Sequence, residues 1–150
     1  MTSTDRIDRS VFIRASPERV WELVTQAEHV GRWFADAGAQ VDLRPGGHLS
    51  LSWRHGTVHH GRVETVDPPE RFAFRWLAEA GSQAEPSEVN STLAEFTMSK
   101  EADGTRVRVV ESGFDALDMD ASGRTALLAS HTEGWGMELA DLVEHAGEAA

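Results

Sequence analysis

The chain has no cysteine and no tyrosine among its 150 residues. Without thiols there is no disulfide framework, no cysteine nucleophile and no thiolate metal site. Without phenols there is no tyrosine general acid. Lysine is nearly absent too: Lys100 stands alone and the other basic residues are arginines, so lysine Schiff-base chemistry is not expected. No apolar run approaches the ~20 residues of a membrane-spanning helix. Positive charge is in short supply, with 14 Lys and Arg against 25 Asp and Glu, a formal net charge of −11. That balance argues against nucleic acid or an anionic membrane as a partner. The stretch Met1 to Asp8 is polar and lacks the apolar segment of a signal peptide, so a cytoplasmic protein is expected.

What the sequence does contain is periodicity. Ile7 to Arg14 reads as a strand, with Val11 and Ile13 alternating. Ser16-Pro17 then combines an N-cap residue with proline at the first helical position. "PERVWELVT" follows with Val20, Leu23 and Val24 on one stripe. "AEHVGRWF" is a second short helix. A meander of strands comes next: Val41 and Leu43, then Leu49, Leu51 and Trp53 after the Pro45-Gly46-Gly47 turn, then Thr57 to Val66. Asp67-Pro68-Pro69 interrupts, and Arg71 to Trp76 carries Phe72, Phe74 and Trp76 on one face. Ser91 to Lys100 and the strand through Val107, Val109 and Glu111 flank an Asp-Gly turn. From about Ser122 the period becomes helical through Leu127, Leu128, His131, Trp135, Leu139, Leu142 and Val143. Gly147 is the expected terminator.

These elements form one domain spanning 1–150, with its core at about 7–146. An antiparallel sheet with one apolar face needs a cover, and the long helix supplies the matching stripe. The expected fold is α+β. A curved antiparallel sheet wraps around a long C-terminal helix, with two short helices after the first strand.

The motifs "ASPERVWELVT", "RPGG", "GRVETVDPPERFAFRW", "GTRVRVVESGF" and "EGWGMELADL" occur in that order. Together they make the chain resemble the START-like, or SRPBCC, superfamily with its helix-grip fold. Within it, the chain is similar to single-domain homologues of the activator of the heat-shock chaperone ATPase. The resemblance implies a hydrophobic cavity between sheet and long helix. The founding chaperone activator has an additional domain that this chain lacks, which argues against chaperone activation. Fold similarity constrains function weakly.

Candidate site residues follow from alternation and from that implied cavity. Trp33, Trp53, Trp76 and Trp135 come from four elements and are expected to face the gap between sheet and helix. Each buries about 150–250 Å², roughly 4–6 kcal/mol of gross burial, so core packing alone accounts for them and lining of a cavity is the alternative. Phe34, Leu51, Phe74 and Phe114 are expected beside them. Glu111 shares the inward face of Val107 and Val109, where an unpaired carboxylate is costly and its pKa would rise. It is either a ligand anchor or general acid/base, or else a strand-end residue or the partner of an arginine. His131 lies one turn before Trp135. It is either a polar anchor or a hydrogen-bonded core histidine, and with Glu111 it would make a proton-transfer pair. Gly134 and Gly136 are expected either to let the helix approach the sheet closely, the preferred reading, or to loosen it beside a pocket. His55, His59 and His60 raise a metal hypothesis, but His59 and His60 point to opposite faces of a strand and cannot readily share one ion; His48, on a different strand, could join one of them, and neither a metal nor a cofactor is expected.

The expected function is binding of a small hydrophobic or aromatic molecule in the cavity. One alternative is a cyclase- or dehydratase-like enzyme using Glu111 and His131. The other is a protein-interaction domain, cochaperone-like or homodimeric, without a ligand.

Overall fold

The computed structural model describes residues 6–148. Most of the polar N-terminal stretch, residues 1–5, and the last two residues lie outside the described residues. A seven-stranded antiparallel sheet has the order β1-β7-β6-β5-β4-β3-β2. Its strands are β1 (Arg6–Ile13), β2 (Ala39–Val41), β3 (His48–Ser52), β4 (Val58–Asp67), β5 (Arg71–Leu77), β6 (Ser91–Glu101) and β7 (Gly104–Ser112). Helices α1 (Pro17–Thr25) and α2 (Ala27–Trp33) follow β1, and α3 (Ala121–Glu148) closes the chain. This is the expected helix-grip architecture.

Local chemistry explains the element ends. The Ser16 hydroxyl accepts a bond from the Arg19 backbone N–H, capping α1 with proline in its first turn. A bulge between Val63 and Thr65 resets the parity of β4, so Val66 still pairs with Phe72 on the inner face. Asp67, Pro68 and Pro69 make the stiff connection to β5 that the sequence suggests.

The register lays inward residues into rows. Ile7, Glu111, Ala94, Phe74 and Val63 stand opposite one another across five strands. Every member of that row is buried, Glu111 included. The next row runs Thr92, Trp76, Gly61, Leu49 and Val41. Gly61 is forced by that row: a Cβ there would stand 2.1 Å from the Arg75 carbonyl oxygen. Gly61→Ala must push β4 away from β5. It is expected to cost about 3 kcal/mol, the upper part of the range for forced backbone shifts, read as a lower urea midpoint.

The apolar stripe of α3 covers this inner face through Trp135, Leu139 and Leu142. Two details of the expected stripe differ. Val143 is exposed, because it sits a hundred degrees around the helix from Leu142. Gly147 does not end the helix, which continues to Glu148. Near that end, His29 of α2 and His145 of α3 meet through ring nitrogens 2.9 Å apart. Among the described residues no helix is long and apolar enough to cross a membrane.

Candidate functional site

A buried carboxylate organises the centre of the molecule. Glu111 is fully buried and its two oxygens are surrounded by donors. Trp76 Nε1–H donates to Oε2 at 2.9 Å and Thr92 Oγ1–H to the same oxygen at 2.6 Å. Trp135 Nε1–H donates to Oε1 at 2.8 Å. His131 Nδ1 lies 2.9 Å from both oxygens. A carboxylate has no hydrogen to give, so Nδ1 carries one and donates, leaving Nε2 as the remaining ring nitrogen.

Burial pushes the Glu111 carboxyl up. His131, Thr92 and Trp135 outweigh burial and hold it below the ordinary glutamate value. The rise expected for an unpaired carboxylate does not occur, because this one is fully paired. Nor is its partner an arginine: the donors are two indoles, a hydroxyl and an imidazole. An oxygen pair so occupied has no lone pair turned to a ligand. Glu111 is thus an orienting group that fixes His131 and two tryptophans.

Above this network lies a half-open cleft of about 260 Å³. Its aromatic walls are Phe34, Trp53, Trp76 and Trp135. Phe34 is the hub: its ring lies 5.6 Å from Trp53, 5.6 Å from Trp76 and 5.1 Å from Trp135. The middle of the gap between sheet and helix is filled, with Trp76 and Trp135 6.1 Å apart in direct contact. The open volume therefore sits at one end of that gap, under the β3–β4 turn.

The predicted residues divide into groups. Phe34, Trp53, Trp76, His131 and Trp135 line the cleft, and Glu111 lies beneath it. Leu51 and Phe74 are core residues of the sheet. Phe114 is buried in the short 3-10 turn Phe114–Ala116, edge-on to the His131 ring. Trp33 does not line the cleft. Its indole N–H donates to the Leu23 carbonyl oxygen at 2.7 Å, and its ring packs between Phe34 and Phe96. That bond ties α2 to α1 and commits the indole to the core.

Other lining groups were not singled out from sequence as site residues. His59 Nδ1 lies 2.9 Å from the Leu77 carbonyl oxygen, which can only accept, so Nδ1 is the donor and a neutral ring keeps a lone pair on Nε2. Burial lowers the His59 pKa, the ring staying neutral at pH 7. Glu138 is half-buried in the cleft wall. Burial pushes its carboxyl up to about 8, helped by Asp141 and Asp36 and opposed by a bond from Trp53. Its signal was present in the sequence: Glu138 follows His131 by seven and Gly134 by four, one helical stripe.

Gly134 and Gly136 do not serve close approach. A Cβ at either would meet nothing within 4 Å, and Gly134 borders the cleft. His48 and His60 do approach, at 3.3 Å on adjacent strands, but no group of three metal-ligating side chains occurs among the described residues.

Solved structures with this fold include protein MLL2253 from Mesorhizobium loti, at 18% identity and TM-score 0.78 over 97% of this chain and 98% of that one. CalU16 from Micromonospora echinospora is similar at 23% identity and TM-score 0.70, over 94% of this chain and 75% of that one. The Aha1 dimer from Colwellia psychrerythraea is similar at 17% identity and TM-score 0.72, over 93% of each chain. At these identities the likeness speaks to fold. No curated protein matches the sequence significantly. The family model described as Activator of Hsp90 ATPase homolog 1-like protein matches residues 14–147. With nearly the whole chain matched and the helix-grip fold in place, the protein belongs to that family.

Proposed function

We propose that the protein binds a small, largely apolar molecule in the cleft between Trp53, Trp76 and Trp135. The observation that carries this reading is the cleft itself: four aromatic residues from separate parts of the chain wall an open volume that also admits a few polar groups. Ligand sites commonly have this composition, though at about 300–1,000 Å³ they tend to be larger. A volume of about 260 Å³ suits a molecule built on a single ring. His59 and His131 offer polar contacts at the wall, and the latter is held in place from below by Glu111.

Gly134 provides the test. A leucine there fills the cleft mouth, whereas an alanine finds open space and removes a helix-interior glycine. Gly134→Ala is expected to raise stability by about 0.5–1 kcal/mol and keep binding. Gly134→Leu is expected to fold and lose binding. The measurement is a thermal-shift screen of single-ring compounds against all three proteins. Compounds that raise Tm in the wild type and Gly134→Ala but not in Gly134→Leu support the cleft. Equal shifts in all three, or no compound shifting any of them, count against it.

A further inference from the structure

Among the described residues the ionisable groups in the cleft wall are one carboxyl and three histidines, and no arginine or lysine side chain lines it. Its carboxyl, Glu138, stands against Asp141 on its own helix and Asp36 after α2. Arg54, the nearest arginine in sequence to the lining turn, is turned to Asp36: its backbone N–H donates to Asp36 Oδ1 at 2.7 Å and its Nε to the Asp36 carbonyl oxygen at 3.2 Å. The other titratable groups in the wall are His55, His59 and His131. His55 Nε2 is engaged with the Thr57 hydroxyl at 2.7 Å, His59 Nδ1 with the Leu77 carbonyl oxygen, and His131 Nδ1 with Glu111.

We propose that the cleft is a receptor for an organic cation, an ammonium group on a small apolar body, held between aromatic faces and the Glu138 carboxylate. This rests on the cleft being a ligand site and adds the charge of its occupant. Aromatic faces carry negative electrostatic potential, and a cation within about 6 Å of a ring centre is attracted to it, most strongly by tryptophan. Here the indoles of Trp53, Trp76 and Trp135 line a shared volume beside a carboxyl, with the Phe34 ring stacked on Trp33 and Trp135 behind them. An anion would add a further negative charge to Glu138, Asp141 and Asp36. A neutral ligand would leave Glu138 in its protonated form at pH 7. A cation favours the carboxylate beside those neighbours, and the net charge of −11 draws cations toward the surface.

Protonation gives the idea a second signature. Because Glu138 is pushed up to about 8, it is largely protonated at pH 7 in the empty cleft. A bound cation favours the carboxylate, so binding at pH 7 should release a proton to solvent. By the same linkage, affinity for a cation should rise as pH increases through that value, whereas affinity for a neutral molecule should not.

The probes are benzyltrimethylammonium, 2-phenylethanol and phenylacetate, which present positive, neutral and negative charge on the same ring. Binding is followed by isothermal titration calorimetry from pH 6 to 9, in buffers of differing ionisation heat to count protons. Benzyltrimethylammonium is expected to bind about ten-fold more tightly than 2-phenylethanol at pH 9. That preference should shrink toward pH 6, with close to one proton released per ligand at pH 7. Glu138→Gln is expected to abolish both the proton release and the pH dependence. If 2-phenylethanol or phenylacetate binds as well as the cation at every pH, the cation proposal is overturned and the cleft remains a ligand site. If none of the three binds, both readings fall.

Discussion

Glu111→Gln is expected to destabilise the fold by about 3–5 kcal/mol, the cost of breaking a buried charged network from one side. The glutamine is the same size, so no cavity is involved. The loss comes from hydrogen bonding. Trp76, Thr92, Trp135 and His131 all present donors to the two carboxylate oxygens. An amide keeps one oxygen and replaces the other with a second donor group, so at least one N–H meets another donor. Urea unfolding at pH 7 measures the effect, and a loss below about 1 kcal/mol would contradict the network's role. The pH dependence follows with a definite sign. The Glu111 carboxyl is held below its ordinary 4.5 in the folded protein. Its contribution is therefore present above that value and is lost as pH falls through the folded value. The wild type should lose this component on acidification, and Glu111→Gln should show a flatter acid limb.

Trp135→Ala is expected to cost a further large amount, about 3–5 kcal/mol, as for other buried aromatic deletions. Trp135 is 2% exposed. It stacks on Phe34, touches Trp76 and Phe96, and donates to Glu111. Removing it opens a cavity and leaves Glu111 a donor short. Trp135→Phe separates these causes by keeping a ring while deleting the N–H, with an expected cost of about 1–3 kcal/mol. Because Trp135 and Glu111 share one bond, the double variant Glu111→Gln/Trp135→Phe should be less destabilised than the sum of the singles. Additive losses would mean that the contact carries no energy of its own.

Strands and helices could be read from the sequence because their signals are local. Alternation along Phe72, Phe74 and Trp76, and helical spacing through Trp135, Leu139 and Leu142, need no knowledge of the rest of the chain. The inward direction of Glu111 was legible for the same reason. Its partners were not. Whether His131 meets Glu111 depends on the rotation of α3 over the sheet, and whether Trp76 does depends on register across β5, β6 and β7. Neither is written in any short window. Trp33 and Trp53 show why the candidate site was only partly readable. Both are tryptophans at the ends of elements that face the core, yet one gives its N–H to a backbone carbonyl and the other walls a cleft. Of the two readings of Gly134 and Gly136, close approach fails and a place beside a pocket fits Gly134, since a glycine facing open space and one facing a close neighbour look alike in a sequence. Glu138 was overlooked because a lone glutamate on a long helix usually faces solvent.

The bonds from Trp135 and His131 to Glu111 also have a mechanical consequence. They fasten the middle of a 28-residue helix to β7, and His145 fastens its far end to α2. A rod held at its midpoint and near one end can neither slide nor roll without tearing both attachments. The opposite wall is held differently: Trp53 leads into the exposed turn Arg54-His55-Gly56, which is tied to the rest of the molecule through Arg54 and Asp36. The helix is the fixed wall of the cleft.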